Sequence, residues 1–454
     1  MTESGECTRF GKSCFYPVSN CCRWHIISII NADISSKYSI PNLGLYHKVR
    51  MNFIHKSFLY FIIPLLIFSN CSQMYDDVEL PEHIRELENL TVITADTEPI
   101  ADIQLTRDQS FGDSDDVFIG NIRDMVVDDQ GRVFIADTHQ NTVHVFNPDG
   151  SITTRIGRQG QGPGEFQGIY SMAIHQNQLY VYDYPLYRIT TFSLDSFEHT
   201  HIINLNPENW GHIEELDGRF PTHFFIIDDN TILQRFVQIS QPDQIGEPTF
   251  SRHYLLNKDG EIISDLIYEQ RGVEYLVSTY GGGINFLAPP FIRSSLMAIS
   301  ANGNIFSAWS EEFLIKVYNL EGNYVRAFYY PYNQSSLDRR EILDLYSDQP
   351  DLQETYRSTE FPESWPALHF MMSDDENRLW VSTISDDDEH YTWLVLSENG
   401  ELLARFDWPG NRLNRDVTNL ELIVVKNGYL YSHEVDDDTG LQQIVRYRIE
   451  KEEV

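Results

Sequence analysis

The chain has 454 residues, of which 41% are hydrophobic, and it carries 68 acidic against 33 basic side chains. The net charge of −35 disfavours nucleic-acid binding, which needs a basic surface, and an anionic membrane surface would repel the body of the protein. All the cysteines lie at or before Cys71, so the rest of the chain has no disulfide, no cysteine metal site and no cysteine nucleophile.

The N-terminal region divides at Met51. Residues 1–50 hold four of the five cysteines and no repeat, so we expect them to be a non-native upstream extension or disordered. Residues 51–70 have a lysine, the apolar run Phe58–Phe68 and a polar pair before Cys71, which is the layout of a signal peptide. The run is short for a bilayer span, which takes about 20 residues. A cysteine directly after it resembles a bacterial lipoprotein signal, which implies lipidation of Cys71. A secreted form and an N-terminal anchor are the alternatives.

We expect residues 71–95 to form an acidic tether and residues 96–454 to form the folded body. Within that body one strand recurs, rich in β-branched and aromatic residues and preceded by a polar turn. Its copies, called strand b, are RVFIADT (132–138), QLYVYDY (178–184), TILQRFV (231–237), NIFSAWS (304–310), RLWVSTI (378–384) and GYLYSHE (428–434). Each lies in a unit of four strands, a to d, at 121–160, 167–205, 221–270, 291–331, 366–408 and 418–449.

Six units predict an all-β fold, a six-bladed β-propeller with four-stranded antiparallel blades, rather than a barrel or a sandwich. The last unit lacks strand d, and the N-terminal strand Ile100–Thr106 is expected to supply it and close the ring. Insertions at 206–220, 270–290 and 332–365 all join strand d of one blade to strand a of the next. The last one predicts a helix with Ser335 or Ser336 as its N-cap.

Two motifs resemble those of NHL-repeat propellers, which have a Gly-rich segment GxGxGPGxF before each blade and a strand b that ends in Asp. The first is matched by Gly160, Gly162, Pro163, Gly164 and Phe166, and the second by Asp137 with Asn141 and by Asp183 with Arg188. We interpret the Gly-rich segment as a linker between blades. More broadly, residues 90–450 are similar to six-bladed propeller lipoproteins of Bacteroidota and relatives. This resemblance implies a fold and an envelope location but no activity.

The position of Asp137 at the end of strand b is where we expect the blades to meet the central channel. It is occupied in turn by Asp137, Asp183, Phe236, Trp309, Thr383 and His433. The aspartates suit turn caps that accept backbone N–H groups, whereas no turn requires the aromatic residues. We predict that the ligand contacts on this face come from Asp137, Asp183, Phe236, Trp309 and His433, together with Trp210 and Tyr280 from the insertions.

Metal sites and catalytic motifs are weakly supported. His139, His390 and His433 lie in b–c loops of blades that would be neighbours, but exposed loop histidines explain them better than a metal centre. The acidic runs 113–116, 386–389 and 436–438 contain no DxDxDG loop, so we expect no cofactor, with weak Ca²⁺ binding as the alternative. No GxSxG, HExxH or CxxC motif occurs.

The sequence therefore favours a monomeric, lipid-anchored binding module of the cell envelope, on either side of the outer membrane, that takes a protein or glycan ligand through its channel face. A metal-dependent propeller enzyme of the lactonase or lyase type, and a scaffold without a ligand, are the alternatives.

Overall fold

The structure, a computed structural model, describes residues 80–112, 117–238, 248–278, 285–413, 422–436 and 439–453, all within the compact unit Val78–Val454. The expectations for the signal peptide, for lipidation of Cys71 and for Tyr280 lie outside the described residues. Among the helices that are described, none has the length and apolarity needed to cross a membrane.

Six blades of four strands each make up the fold, and within each blade strands a to d are hydrogen-bonded in that order. The strands of blade 1 are Ile122–Val127, Val133–Asp137, Thr142–Phe146 and Ile152–Ile156. Those of blade 2 are Ile169–His175, Gln178–Asp183, Arg188–Ser193 and His199–Asn204. Those of blade 3 are Arg219–Asp228, Thr231–Gln238, Phe250–Asn257 and Tyr268–Arg271.

The remaining blades follow the same plan. The strands of blade 4 are Ser295–Ile299, Ile305–Trp309, Leu314–Tyr318 and Tyr324–Tyr329. Those of blade 5 are Leu368–Ser373, Leu379–Ile384, His390–Leu396 and Leu402–Pro409. Those of blade 6 are Ile423–Lys426, Tyr429–Val435, Gln442–Glu453 and, from the N-terminal side, Ala101–Phe111. The six-bladed architecture predicted from the repeat is confirmed.

The ring is closed by the N-terminal strand, as expected from the incomplete sixth unit. It runs antiparallel to strand c of blade 6, from the pair Ala101 and Glu453 to the pair Phe111 and Ile444. The strand continues past the predicted end at Thr106 to Phe111, whose side chain is fully buried against blades 1 and 6. A second N-terminal strand, Leu90–Val92, adds in parallel to the outer edge of blade 4.

Strands b and c read as continuous apolar runs because neighbouring blades cover them on both sides. In blade 1 every residue of both strands is buried, whereas strand d is largely exposed. The a strands of blades 1 and 2, 2 and 3, 4 and 5, and 6 and 1 lie against each other, so strand a forms the inner ring around the central channel. Because strand direction alternates, the b–c turns and the d–a connections share one face, which we call the loop face.

The helical insertion is confirmed, but its cap differs from the prediction. After helix α1, Glu82–Arg85, the remaining described helices are α2, Arg339–Leu345, and α3, Pro350–Ser358. Helix α2 is capped by Asp338, which accepts a hydrogen bond from the N–H of Arg340 at 2.9 Å. Ser336 instead pairs with Ser364 in an isolated bridge, and Ser335 is buried, so neither serine is available as the cap.

The other two insertions are short and local. The segment between blades 2 and 3 contains two 3₁₀ turns, Pro207–Asn209 and Glu214–Leu216. The segment between blades 3 and 4 contains the antiparallel strands Leu276–Ser278 and Asn285–Leu287. Both insertions extend the loop face.

Candidate functional site

The two aspartates at the ends of strand b are fully buried and act as turn caps. Asp137 accepts hydrogen bonds from the N–H groups of Gly120, Asn121 and His139 at 3.0, 3.2 and 2.9 Å. Burial alone would raise the pKa of Asp137, but the contact with His144 and these backbone donors outweigh it and lower the pKa to about 2. The carboxylate therefore ties strand b to the start of strand a.

Asp183 has the same role in blade 2. Its carboxylate accepts hydrogen bonds from the N–H groups of Gln167 at 2.8 Å and Leu186 at 3.3 Å, and its side chain is fully buried. Neither aspartate presents a free oxygen at the channel surface, so the ligand contact predicted for them has no geometric support.

Phe236 and Trp210, both predicted to contact a ligand, are in contact with each other. The contact lies inside the hydrophobic core. Phe236 is 0% exposed and Trp210 is 2% exposed, and their ring centroids are 5.1 Å apart. Phe236 also packs against Tyr254, at 6.0 Å. The insertion that carries Trp210 covers the end of strand b, so these side chains fill the space between blades 2 and 3 and have no surface to offer a ligand.

The three loop histidines do not converge on one point. His139 packs edge-on against Phe118, His390 contacts Asp387 of its own loop at 3.1 Å, and His433 is half-buried with its pKa lowered by burial. Within the described residues no group of three His, Cys, Asp or Glu side chains could hold a metal ion. The acidic runs at 113–116 and 437–438 lie outside those residues.

The contact between blades 3 and 4 differs from the other five. In the described part of the chain, an apolar cluster joins each of the other neighbouring pairs of blades, but none joins blades 3 and 4. Their facing side chains are polar. The Tyr268 hydroxyl contacts the Ser307 hydroxyl at 2.9 Å, and the Gln270 amide donates to the carbonyl of Leu296 at 3.0 Å. We call this contact the blade 3–4 seam.

The blade 3 wall of this seam is a row of side chains on paired strands. Arg235 of strand b lies opposite His253 of strand c, which lies opposite Tyr268 of strand d. The Tyr268 ring then packs against Tyr318 of blade 4, with centroids 4.8 Å apart. Burial, assisted by the charge of Arg235, lowers the pKa of His253 to about 3, so this histidine is neutral at physiological pH. The row leads from near the channel to the outer rim.

A groove of about 550 Å³ opens at the outer end of the seam on the loop face. Seven of the fifteen residues that line it are aromatic, among them Tyr268, Trp309, Tyr318, Tyr329, Tyr330 and Tyr332. Polar atoms come from Glu311, Glu312, Lys316 and Gln334. Trp309 is half-buried, its indole N–H donates to Glu311 at 3.3 Å, and the guanidinium of Arg271 lies 4.5 Å from the ring centroid. Of the predicted ligand residues that the structure describes, Trp309 is the one that lines this groove.

A second cavity, of about 700 Å³, lies between blades 2 and 3 on the face opposite the loop face. It is lined by a–b turn residues and by polar side chains, among them His175 and Asp229, which are in contact at 3.0 Å. The sequence contains no motif that marks this cavity.

The inner ring contains a cluster of side chains that no sequence motif marks. Strand a is irregular in register with strand b in blades 1, 2 and 3, and the extra residues include Arg123, Tyr170 and His223. The guanidinium of Arg123 lies 4.5 Å from the centroid of the Tyr170 ring, which lies 5.1 Å from that of His223. Burial, with the charges of Arg235 and Arg123, lowers the pKa of His223 to about 3. Bulges turn side chains in this way but have no reliable sequence signal.

Part of the blade sequence matches a family model. Residues 112–265, which cover blades 1 and 2 and most of blade 3, match the DUF5128 family, described as a 6-bladed beta-propeller. Among solved structures, the chain is similar to a DUF4221-family protein from Bacteroides vulgatus, with 12% identity over 78% of this chain and 99% of that chain and a TM-score of 0.47. It is also similar to a Bacteroides fragilis protein described as an exported protein, with 11% identity over 80% of this chain and 99% of that chain and a TM-score of 0.44. Virginiamycin B lyase from Staphylococcus aureus is similar with 12% identity over 78% of this chain and 89% of that chain and a TM-score of 0.32. A search of curated proteins finds no match.

Proposed function

We propose that this protein is a lipid-anchored, glycan-binding protein of the cell envelope, and that its ligand binds in the groove beside Trp309. The observation that carries the proposal is this groove, an aromatic cleft of about 550 Å³ on the loop face at the polar seam between two blades. The volume falls within the range of about 300–1,000 Å³ found for small-ligand sites.

The side chains of the groove suit a sugar better than a purely apolar ligand. Tyrosine and tryptophan rings offer flat apolar faces with a polar tip, which matches sugar rings that carry both C–H faces and hydroxyl groups. Glu311, Glu312 and Gln334 supply hydrogen-bond acceptors, and Lys316 supplies a donor. A binding role also agrees with the position of the groove, because rigid blades hold the loops that form it.

The envelope location rests on the sequence. The signal-like segment from Met51 and the single cysteine after it support export followed by lipidation of Cys71. Metabolic labelling with radioactive palmitate tests this part: the native protein should be labelled and should sediment with membranes, and Cys71→Ala should be unlabelled. Equal labelling of both proteins contradicts the anchor.

The binding role is tested by probing an array of bacterial and plant oligosaccharides with the purified protein. We expect retention of one structural class of glycan, and we expect Trp309→Ala to abolish it. The matched control is Trp408→Ala, which removes a half-buried tryptophan from the outer strand of blade 5, away from the groove. Failure to retain any glycan, or equal loss in the two variants, contradicts the proposal.

A further inference from the structure

Two arginines near the channel lack a counter-ion. Among the described residues, neither Arg123 nor Arg235 forms an ion pair or a side-chain hydrogen bond, and the Nε of Arg235 is shielded from solvent and has no partner. This is unexpected in a chain with 68 acidic side chains and a net charge of −35. Both side chains are half-buried, and burial lowers the pKa of the Arg235 guanidinium. A charge removed from water is costly unless it is paired, so proteins rarely keep one without a use.

The histidines around Arg235 add no charge at pH 7. His223 and His253 are neutral, and Tyr170 lies between Arg123 and His223. Asp124, next to Arg123 in the chain, interacts with it electrostatically, but burial raises the pKa of Asp124 to about 7 and its oxygens accept the backbone N–H groups of Met125 and Met172.

His253 adds an acceptor. Its Nδ1 lies 3.2 Å from the carbonyl oxygen of Tyr268 and must carry the proton in that contact, which leaves Nε2 unprotonated. Nε2 is fully buried and has no hydrogen-bond partner in the described residues. Within the described residues Arg235 thus has a neutral, buried histidine beside it and no ion-pair partner.

We propose that the inner end of the blade 3–4 seam is an oxyanion-binding site, in which Arg235, assisted by Arg123, binds a carboxylate or sulfate group. Guanidinium groups bind such anions through paired, charge-assisted hydrogen bonds. The site is distinct from the Trp309 groove, so the proposal does not depend on glycan binding there.

The test measures binding of galacturonate, galactose and sulfate to the full chain by calorimetry at pH 7 and low ionic strength. We expect galacturonate to bind and neutral galactose not to bind. Arg235→Gln should weaken binding about tenfold or more, since a charged donor is lost, and Arg123→Gln should weaken it less. Sulfate that binds as tightly as galacturonate assigns the site to oxyanions in general, and binding of galacturonate alone assigns it to sugar acids.

The control is Arg155→Gln, which removes the same charge from the exposed outer strand of blade 1 and should bind as the native protein does. A thermal melt separates ligand binding from a structural role. If Arg235 is kept for a ligand, Arg235→Gln should melt at the native temperature or ~1–3 °C above it, because an unpaired and partly buried charge is removed. Absence of binding by both anions, undiminished binding by Arg235→Gln, or a clearly lower melting temperature overturns the proposal.

Discussion

The guanidinium of Arg188 donates a hydrogen bond to the backbone carbonyl of Glu165 at 2.6 Å, and it also donates to the carbonyls of Gln161 and Gly162 at 3.0 and 2.8 Å. Arg188 belongs to strand c of blade 2, and the three carbonyls belong to the Gly-rich linker that enters that blade. The linker is thus fastened to the blade that it introduces, and the best-preserved motif of the sequence has a structural role.

Replacing Arg188 with methionine should destabilise the protein by about 2–4 kcal/mol, because the carbonyls of the linker lose their shared donor. Arg188→Lys should cost less, since an ammonium keeps the charge but cannot reach all three oxygens. Urea unfolding gives both values. The control is Arg155→Met, which should change stability by less than about 0.5 kcal/mol; a similar loss in Arg155→Met would contradict the role of Arg188.

Closure of the ring should depend on the N-terminal strand. Phe111 is fully buried, and its ring lies 6.2 Å from Phe146 of blade 1 and 6.3 Å from Tyr431 of blade 6. Phe111→Ala should therefore cost about 3–5 kcal/mol in urea unfolding. Ile100→Ala, at a half-exposed position just before the strand, should be close to neutral. A mild effect of Phe111→Ala would mean that the ring holds without this strand.

The two aromatic residues at the ends of strand b, Phe236 and Trp309, should differ in how much they contribute to stability. Phe236→Ala should cost about 3–5 kcal/mol, because it leaves a cavity beneath Trp210 in the core. Trp309→Ala should cost less than about 1 kcal/mol, because that side chain lines an open groove. Thermal and urea unfolding of the two variants, side by side, check this contrast. Equal losses would mean that Trp309 also belongs to the core.

One carboxyl group should make stability depend on pH near neutrality. Burial outweighs the hydrogen bonds from Met172 and Met125 and raises the pKa of Asp124 to about 7. Because the folded state holds a proton that the unfolded state releases near pH 4, this group stabilises the protein fully below about pH 4, and its contribution is lost as the pH rises to about 7.

Asp124→Asn should remove that decline. The difference in unfolding free energy between the native protein and Asp124→Asn should fall from pH 4.5 to pH 7 and should stay constant above about pH 8. Asp259→Asn, at an exposed turn, is the control and should follow the native protein. A constant difference across this range would show that Asp124 is ionised throughout.

Much of the fold could be predicted from the sequence, because strands b and c are covered on both sides and therefore read as apolar runs between turns. Closure by an N-terminal strand followed from a missing strand in the last unit. The candidate site could be predicted less well than the fold. No local pattern shows that an insertion buries Trp210 over Phe236, or that bulges in strand a bring Arg123 and Tyr170 together. The polar seam between blades 3 and 4 depends on which side chains of one blade face those of the next, and a single sequence does not show this.

Calorimetric titration of a glycan retained on the array tests whether the ligand binds beside Trp309, with the native protein, Trp309→Ala and Trp408→Ala compared at matched stability. We expect Trp309→Ala to weaken binding about tenfold or more, because aromatic contacts of the groove are lost, and we expect Trp408→Ala to bind as the native protein does. Native affinity in Trp309→Ala, with the protein folded, would contradict the assignment of the ligand to the groove between blades 3 and 4.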